Sequence, residues 1–280
     1  MITKNYIAKG EGANRFEKIP VQIYETADEA VKAVAREIVD LVQTKAASSE
    51  KCVLGLATGV SPIKLYQELV RLHREEGVSF RNVVTFNFNL DEYLPMPKES
   101  EQSYHYFMHH HLFDHIDIDP KNIHIPDGTL EGDEIDKFCR DYEKAIDAAG
   151  GIDLQILGIG RTGHIGFNEP GSFITSQTRK VFLNDLTIKD AIKDFGSRNL
   201  VPTKAITMGV GTIMQARRVI LMAWGEKKAP IIKATVEGRV SDSVPATFLQ
   251  MHSNVQFIID ESAASELTRA DYPWLVSKGD

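Results

Sequence analysis

The sequence contains little cysteine. Only Cys52 and Cys139 occur among its 280 residues, and they do not form a C-x-x-C pair. Cys52 begins the apolar run CVLGLA, which is typical of a buried thiol. We therefore expect two buried free thiols rather than a disulfide bond, which fits a reducing, cytoplasmic setting.

Long apolar runs and an excess of positive charge are also missing. No stretch reaches the roughly 18 apolar residues of a membrane span, and the N-terminus MITKNYIAKGEGANRF lacks the apolar core of a signal peptide. The net charge of −7 argues against nucleic acid as the main partner, but it allows a small anion in a local basic pocket. Without repeats or linkers, the chain is predicted to be one domain, residues 19–280, after an N-terminal arm, residues 1–18.

Strand-like and helix-like segments alternate along the chain. Strands separated by helices form βαβ units, so this order predicts an α/β fold with a mainly parallel sheet. Thr26 and Glu29 form a capping box before the first helix. The predicted strands are 21–25, 52–57, 83–90, 122–126, 153–160, 179–184, 204–209, 217–225 and 255–261.

Ligands of an open parallel sheet bind at the carboxyl ends of its strands. Functional residues should therefore directly follow four of the predicted strands. The stretches at these places read TGVSP, DEY, GRTGHIGFNEP and GEKKAP.

Two of these stretches suit an anion. In LATGVSP a glycine turn opens a helix, with Ser61 as the predicted N-cap, and such a helix start favours a phosphate. A plain strand-to-helix turn is the alternative, since the Gly-Lys-Ser/Thr ending of a Walker loop is missing. In GEKKAP, Lys227 and Lys228 lie at the predicted start of a helix, where their charges repel the positive end of the helix dipole. A bound anion would relieve this repulsion, and simple solvation of the lysines is the alternative.

The other two stretches suit proton transfer. Neighbouring residues of an extended chain point to opposite sides, so only one of Asp91 and Glu92 can face a cleft, as a general base or as a turn carboxylate. In GHIGFNEP, Glu169 can hold the tautomer of His164, although a structural loop histidine is the alternative. The histidines of MHHHLFDH fan around a helix, so we predict no metal site there.

These stretches, in this order, resemble the glucosamine-6-phosphate deaminase family, which is related to the 6-phosphogluconolactonases. The resemblance covers roughly residues 20 to 270 and includes GLATGVSP, NLDEYLPMPKESEQSYHYFM, LFDHIDI, GHIGFNEP and KAITMGVGTIMQA. The endings DEY and NEP look like the deaminase branch. The resemblance implies a modified Rossmann-like, three-layer fold. It also implies conversion of glucosamine 6-phosphate and water to fructose 6-phosphate and ammonia, without an organic cofactor.

The resemblance also implies roles for individual residues. Asp91 matches the base that moves a proton between C2 and C1, His164 the group that opens the sugar ring, and Glu169 its orienting carboxylate. The phosphate-binding positions are matched by Thr58, Gly59, Val60, Ser61 and Lys228.

The chain departs from the family pattern at two site positions. Thr162 stands where an aspartate is usual beside the histidine, and Lys193 aligns with a phosphate-binding arginine. A threonine hydroxyl can hydrogen-bond the imidazole but carries no charge. We therefore predict slower ring opening, or a site that Arg161 has reshaped.

Other functions remain open from the sequence. Galactosamine 6-phosphate is an alternative substrate, because the sequence does not indicate which residues contact C4 of the sugar, where the two substrates differ. A 6-phosphogluconolactonase-like hydrolase and a weakly catalytic sugar-phosphate sensor are further alternatives. The expected partner is a small hexosamine phosphate rather than nucleic acid or a membrane, and the family includes hexamers as well as monomers, so a homo-oligomer stays open.

Overall fold

The computed structural model describes residues 16–86 and 91–271. The strands are β1 Val21–Tyr24, β2 Cys52–Gly55, β3 Val83–Phe86, β4 Asp91–Leu94, β5 Ile123–His124, β6 Leu154–Leu157, β7 Arg179–Phe182, β8 Lys204–Thr207, β9 Val219–Ala223 and β10 Val255–Asp260. The helices are α1 Ala27–Ala47, α2 Val60–Glu76, α3 Tyr104–His111, α4 Asp133–Ala148, α5 Asp185–Phe195, α6 Val210–Met214, α7 Ala229–Glu237 and α8 Thr268–Asp271. No helix in these ranges is both long and apolar enough to cross a bilayer.

A large parallel sheet forms the middle layer of the fold. Its strand order is β1-β10-β9-β6-β2-β3-β5, and all of its neighbouring strands pair in parallel. This confirms the predicted three-layer α/β fold with a mainly parallel sheet. Thr26 is the N-cap of α1, as the predicted capping box requires, since its hydroxyl accepts a hydrogen bond from the Glu29 backbone N–H at 3.3 Å.

Helices cover both faces of this sheet. In β9 the residues alternate between two cores: Val219 and Leu221 pack on one side, and Ile220 and Met222 on the other. The first side is covered by α4, α6 and α7, and the second by α1, α2 and α3. Since all of β9 is buried, its apolar run VILMA is what a central parallel strand requires.

A second, antiparallel sheet has the order β4-β8-β7. The predicted strands 179–184 and 204–209 lie here and not in the parallel sheet, and the stretch DEY is itself a strand instead of a loop after one. Apolar residues of α5 cover one face of this sheet and residues of α4 cover the other. A local pattern shows that a strand is half-buried, but not which sheet it joins.

Helix α2 begins two residues earlier than predicted. Gly59 is its N-cap at a φ of 95°, and Val60 is its first residue, so Ser61 is not the cap. Only glycine adopts this φ without strain, and it lets the chain leave β2 and enter the helix at once.

Parts of three predictions fall outside the described residues: residues 1–15 of the arm, residues 87–90 of the strand 83–90, and the last residues, 272–280. The described end of the arm lies against the domain, because Glu17 pairs with Arg269 and the Lys18 backbone N–H donates to the Val236 carbonyl at 2.9 Å. Cys52 and Cys139 are buried free thiols, as predicted. Burial raises the pKa of Cys52 to about 12 and that of Cys139 to about 11.

Candidate active site

A cavity of about 480 Å³ opens where strands β2, β6 and β9 end. These three strands are neighbours in the middle of the parallel sheet. The segments after them line the cavity together with Asp91 of β4. The parallel sheet therefore brings three of the four stretches selected from the sequence to one place, and the second sheet adds the fourth, DEY, through Asp91.

The N-terminus of α2 forms one wall of the cavity. Thr58, Gly59, Val60 and Ser61 all line it, and no side chain caps the first backbone N–H groups of the helix. The indole N–H of Trp224, which follows β9, donates to the Ser61 carbonyl at 3.0 Å. This hydrogen bond connects the start of α2 to the segment after β9. Uncapped N–H groups and the helix dipole suit an anion.

Lysines stand beside this helix start. Lys193, Lys227 and Lys228 line the cavity. The Lys228 ammonium donates to the Ile159 carbonyl at 2.6 Å, which holds the side chain across the end of β6. Burial lowers the pKa of Lys228, with Lys193 acting in the same direction and Asp190 against it. A phosphate in the cavity would relieve the repulsion between these lysines.

Asp91 and Glu92 point to opposite sides of β4, as predicted. Asp91 lines the cavity and is 5% exposed. Burial, followed by the charges of Glu92 and Glu169, raises the pKa of Asp91 well above its usual value. A buried carboxylate with a raised pKa is a strong proton acceptor in its ionised form.

Glu92 does not line the cavity and instead holds the start of α3. Its carboxylate accepts hydrogen bonds from the Ser103 hydroxyl at 2.8 Å and from the backbone N–H groups of Tyr93, Tyr104 and His105 at 3.0 to 3.2 Å. Burial raises the pKa of Glu92 to about 7 against these hydrogen bonds. The start of α3 places Tyr104 in the cavity wall, where no sequence signal had suggested a site residue.

Residues 158–166, which follow β6 and are called the histidine loop here, fold back on themselves at Gly160. The Gly160 backbone N–H donates to the His164 carbonyl at 2.9 Å. The imidazole lies so close to Gly160 that a Cβ there would be 2.0 Å from the Nε2 atom of His164. Any side chain at this position would displace the ring from the cavity wall.

His164, Thr162 and Glu169 form one hydrogen-bonded group. The Nδ1 atom of His164 lies 2.9 Å from the Thr162 hydroxyl and 3.2 Å from Oε2 of Glu169. The Thr162 hydroxyl donates to the same Oε2 atom at 3.2 Å. Since a carboxylate only accepts, this network assigns the proton of the neutral ring to Nδ1, which leaves Nε2 to exchange a proton in the cavity.

The other carboxylate oxygen of Glu169 is held from α5. Oε1 accepts a hydrogen bond from the Thr187 hydroxyl and a longer one, 3.4 Å, from the Asn184 backbone N–H. Burial tends to raise the pKa of Glu169, but the hydrogen bond and charge of His164, aided by Thr187 and Asn184, lower it below its usual value. The ionised form of Glu169 is therefore favoured.

Arg161 lies outside the cavity lining. Its guanidinium pairs with Asp190 of α5 at 3.0 Å. The alternative that Arg161 has reshaped the site stays a prediction, and the group that contacts His164 at the departing position is the Thr162 hydroxyl.

The histidine-rich stretch makes other contacts. His109 pairs with Asp114 at 2.8 Å, and the Nδ1 atom of His115 lies 3.0 Å from Arg74. In the two described ranges, no three histidine, cysteine, aspartate or glutamate side chains are grouped as metal ligands.

Comparison with known protein families identifies relatives of this chain. A family model for glucosamine-6-phosphate isomerases and 6-phosphogluconolactonases matches residues 25–258. The chain belongs to this family.

Three curated relatives illustrate the similarity of this chain to members of the glucosamine-6-phosphate isomerase/6-phosphogluconolactonase family. A glucosamine-6-phosphate deaminase of Shewanella woodyi is 50% identical over 225 residues, which are 80% of this chain and 84% of that protein. One of Thermoanaerobacter pseudethanolicus is 45% identical over 85% of this chain and 92% of that protein. A glucosamine-6-phosphate deaminase-like protein of Bacteroides thetaiotaomicron is 47% identical over 94% of this chain, which spans only 39% of the length of that relative.

Solved structures of the family agree with the fold. A monomeric glucosamine-6-phosphate deaminase superposes with a TM-score of 0.83 at 41% identity, over 88% of this chain and 99% of that one. A 6-phosphogluconolactonase of Trypanosoma brucei superposes with a TM-score of 0.70 at 22% identity, over 90% of this chain and all of that one. The second likeness concerns the fold alone.

Proposed function

We propose that this protein converts glucosamine 6-phosphate and water to fructose 6-phosphate and ammonia. The observation that carries the proposal is that two unlike sets of groups line one cavity. One set is suited to a phosphate, namely the start of α2 and Lys228, and the other consists of Asp91 and His164. The named deaminases with 45% to 50% identity support the same reaction.

Binding of the phosphate would position the sugar without taking part in the chemistry. The N–H groups of the α2 start, the Thr58 and Ser61 hydroxyls, and the lysines 193 and 228 all line the cavity. Binding energy gained from these groups can be used to hold the reacting carbons in place.

Ring opening is the step that we assign to His164. The sugar ring opens when the O1 hydroxyl loses a proton and the ring oxygen gains one. With its Nδ1 proton directed at Glu169, the imidazole can accept and return a proton through Nε2. The carboxylate stabilises the imidazolium that forms between these two transfers.

Asp91 is the residue that we assign to the isomerisation. Its carboxylate takes the proton from C2 of the open-chain sugar, the electron pair forms the C1–C2 double bond, and the C1 carbonyl oxygen gains a proton from water, which gives the enolamine. The proton on Asp91 then passes to C1 while the amine nitrogen loses a proton to water, which leaves an imine at C2. Water adds to that carbon and ammonia leaves, so that atoms and charge balance without an oxidant or a reductant.

The test is ammonia and fructose 6-phosphate release from a small panel of substrates. We expect both products, in equal amounts, from glucosamine 6-phosphate. Release from galactosamine 6-phosphate instead would reassign the substrate, and hydrolysis of 6-phosphogluconolactone without ammonia would make the protein a lactonase. Binding of the sugar phosphate without any turnover would show that it is a sensor.

The pH dependence of kcat/KM tests the role of Asp91. A base must be ionised to act, and its raised pKa is caused by burial and by the charges of Glu92 and Glu169. The acidic limb should therefore lie well above the usual range of an aspartate, with activity lost as the pH falls through it. Glu92→Gln should move the limb to lower pH. A limb in the ordinary aspartate range would contradict the assignment.

Thr162→Val tests whether the hydroxyl replaces the usual aspartate. The substitution keeps the shape of the side chain but removes the group that contacts His164 and Glu169. We expect kcat to fall about tenfold, the size of a lost hydrogen bond to a charged group. Thr162→Ser, which retains the hydroxyl, should stay within about twofold of the wild type. Equal rates for the Val and Ser variants would show that the hydroxyl has no such role.

We also propose that the reaction belongs to cytoplasmic amino-sugar breakdown. Two buried, unpaired thiols are compatible with a reducing compartment. Fractionation of cells with an antibody to this chain would test the location, and recovery outside the cytoplasm would contradict it.

A further inference from the structure

Glu169 lies between the histidine loop and the start of α5. Its Oε2 atom faces His164 and Thr162, whereas its Oε1 atom accepts hydrogen bonds from Thr187 and from the Asn184 backbone N–H. Glu169 is buried, with only 8% of the residue exposed, so these groups determine the orientation of its carboxylate.

The Thr187 hydroxyl is not needed to form the helix that carries it. Asn184 caps α5, because its side-chain oxygen accepts the Leu186 backbone N–H at 2.9 Å. Thr187 lies further along the first turn, is 7% exposed, and directs its hydroxyl at Glu169. Burial of a threonine where a valine would fit the same space is explained by this one contact.

Helix α5 makes two other contacts around the site. Lys193 in its last turn lines the cavity, and Asp190 pairs at 3.0 Å with Arg161, which lies outside the cavity lining. The ion pair ties α5 to the segment that carries His164, and Thr187 ties it to the carboxylate of Glu169.

We propose that Thr187 is a positioning residue that acts on His164 through Glu169. By holding Oε1, it keeps Oε2 directed at Nδ1 of the imidazole, and by donating a hydrogen bond it keeps the carboxylate ionised. The inference rests on the proposed function, since its effect on turnover passes through the ring-opening histidine.

Loss of the Thr187 hydroxyl should change the pKa of Glu169 in a definite direction. A hydrogen bond given to a carboxylate favours its charged form, so removal of the Thr187 hydroxyl raises the pKa of Glu169. A carboxylate that protonates more readily and rotates more freely holds the Nδ1 proton of His164 less well. Ring opening then slows, whereas binding of the phosphate end is unaffected.

The experiment compares Thr187→Val and Thr187→Ser with Thr178→Val. Thr178 is a matched control, because it is also a buried threonine, 6% exposed, and its hydroxyl has no hydrogen-bond partner within the described part of the chain. Two readouts are used on the intact protein: steady-state ammonia release, and titration of the Glu169 carboxyl by ¹³C NMR, assigned with Glu169→Gln.

For Thr187→Val we expect kcat to fall about tenfold, with KM within about twofold of the wild type, and the Glu169 titration to move to higher pH. Thr187→Ser should restore both quantities, and Thr178→Val should change neither. An unchanged Glu169 titration in Thr187→Val would overturn the inference, as would an equal loss of kcat in Thr178→Val.

The two readouts separate this inference from the proposed function. If the wild type releases no ammonia, the proposed function fails, but the NMR titration still decides whether Thr187 controls Glu169. If ammonia is released and the titration does not respond to Thr187→Val, the proposed function stands and the positioning role is wrong.

Discussion

Asp91→Asn is expected to lower kcat for ammonia release by about three orders of magnitude, which is within the usual contribution of general acid–base catalysis. Asparagine keeps the size of the side chain but cannot accept the C2 proton. Asp91 is buried in the cavity wall, and no other carboxylate lines the cavity in the described part of the chain. No neighbouring acid there can therefore take over the transfer.

The substitution should leave binding of the substrate almost unchanged, since the groups suited to the phosphate are not altered. KM or the directly measured Kd for glucosamine 6-phosphate is the corresponding readout. Asp153→Asn is a suitable control, because Asp153 is a buried aspartate, 6% exposed, before the first residue of β6 and far along the strand from the cavity. It pairs with Lys45 and Arg217, so the control should lose stability and keep its kcat.

Ammonia release by Asp91→Asn within about twofold of the wild type would contradict the proposed base. Loss of binding together with turnover would show instead that Asp91 holds the sugar.

Lys228→Met is expected to reduce kcat/KM for the sugar phosphate by about 100-fold, mostly through KM, because a charge-assisted contact with the phosphate is lost in a buried place. Methionine preserves much of the apolar stem but has no charge, and it also leaves the Ile159 carbonyl without its donor. The measurement is the dependence of ammonia release on substrate concentration, with a direct titration by inorganic phosphate.

Lys233→Met is the matched control for this substitution. Lys233 lies on α7, the helix for which Lys228 is the N-cap residue, and it pairs with Glu237 at 3.2 Å, away from the cavity lining. The control should bind the sugar phosphate like the wild type. A Lys228→Met enzyme with normal KM and reduced kcat would place the lysine near the reacting carbons and not at the phosphate.

The central part of the fold was predictable because it follows from local patterns. Apolar strands such as CVLGLA and RRVILMAWG, separated by amphipathic helices, indicate a parallel sheet, and the sheet in turn indicates where ligands bind. The opposite orientations of Asp91 and Glu92 follow from the period of an extended chain. Neither prediction required knowledge of contacts between distant residues.

Other features could not be predicted, since they depend on such contacts. Residues 91–94 form a strand only because β8 supplies hydrogen bonds from more than 100 residues further along the chain. Tyr104 enters the cavity wall because Glu92 holds the start of α3. Thr187 is an ordinary residue in the first turn of a helix until Glu169 lies beside it. No spacing in the sequence indicates these pairs.

The sequence by itself determined which chemical groups the protein has available: a carboxylate, an imidazole, a glycine turn before a helix, and lysines, each placed at the end of a predicted strand. Tertiary structure decided how these groups are combined. It turned Asp91 into the cavity, directed Arg161 away towards Asp190, and placed the Thr162 and Thr187 hydroxyls on the two oxygens of Glu169. The physical reason is that side-chain type and strand period are local properties, whereas burial, hydrogen-bond partners and the resulting pKa values exist only after distant segments have packed together.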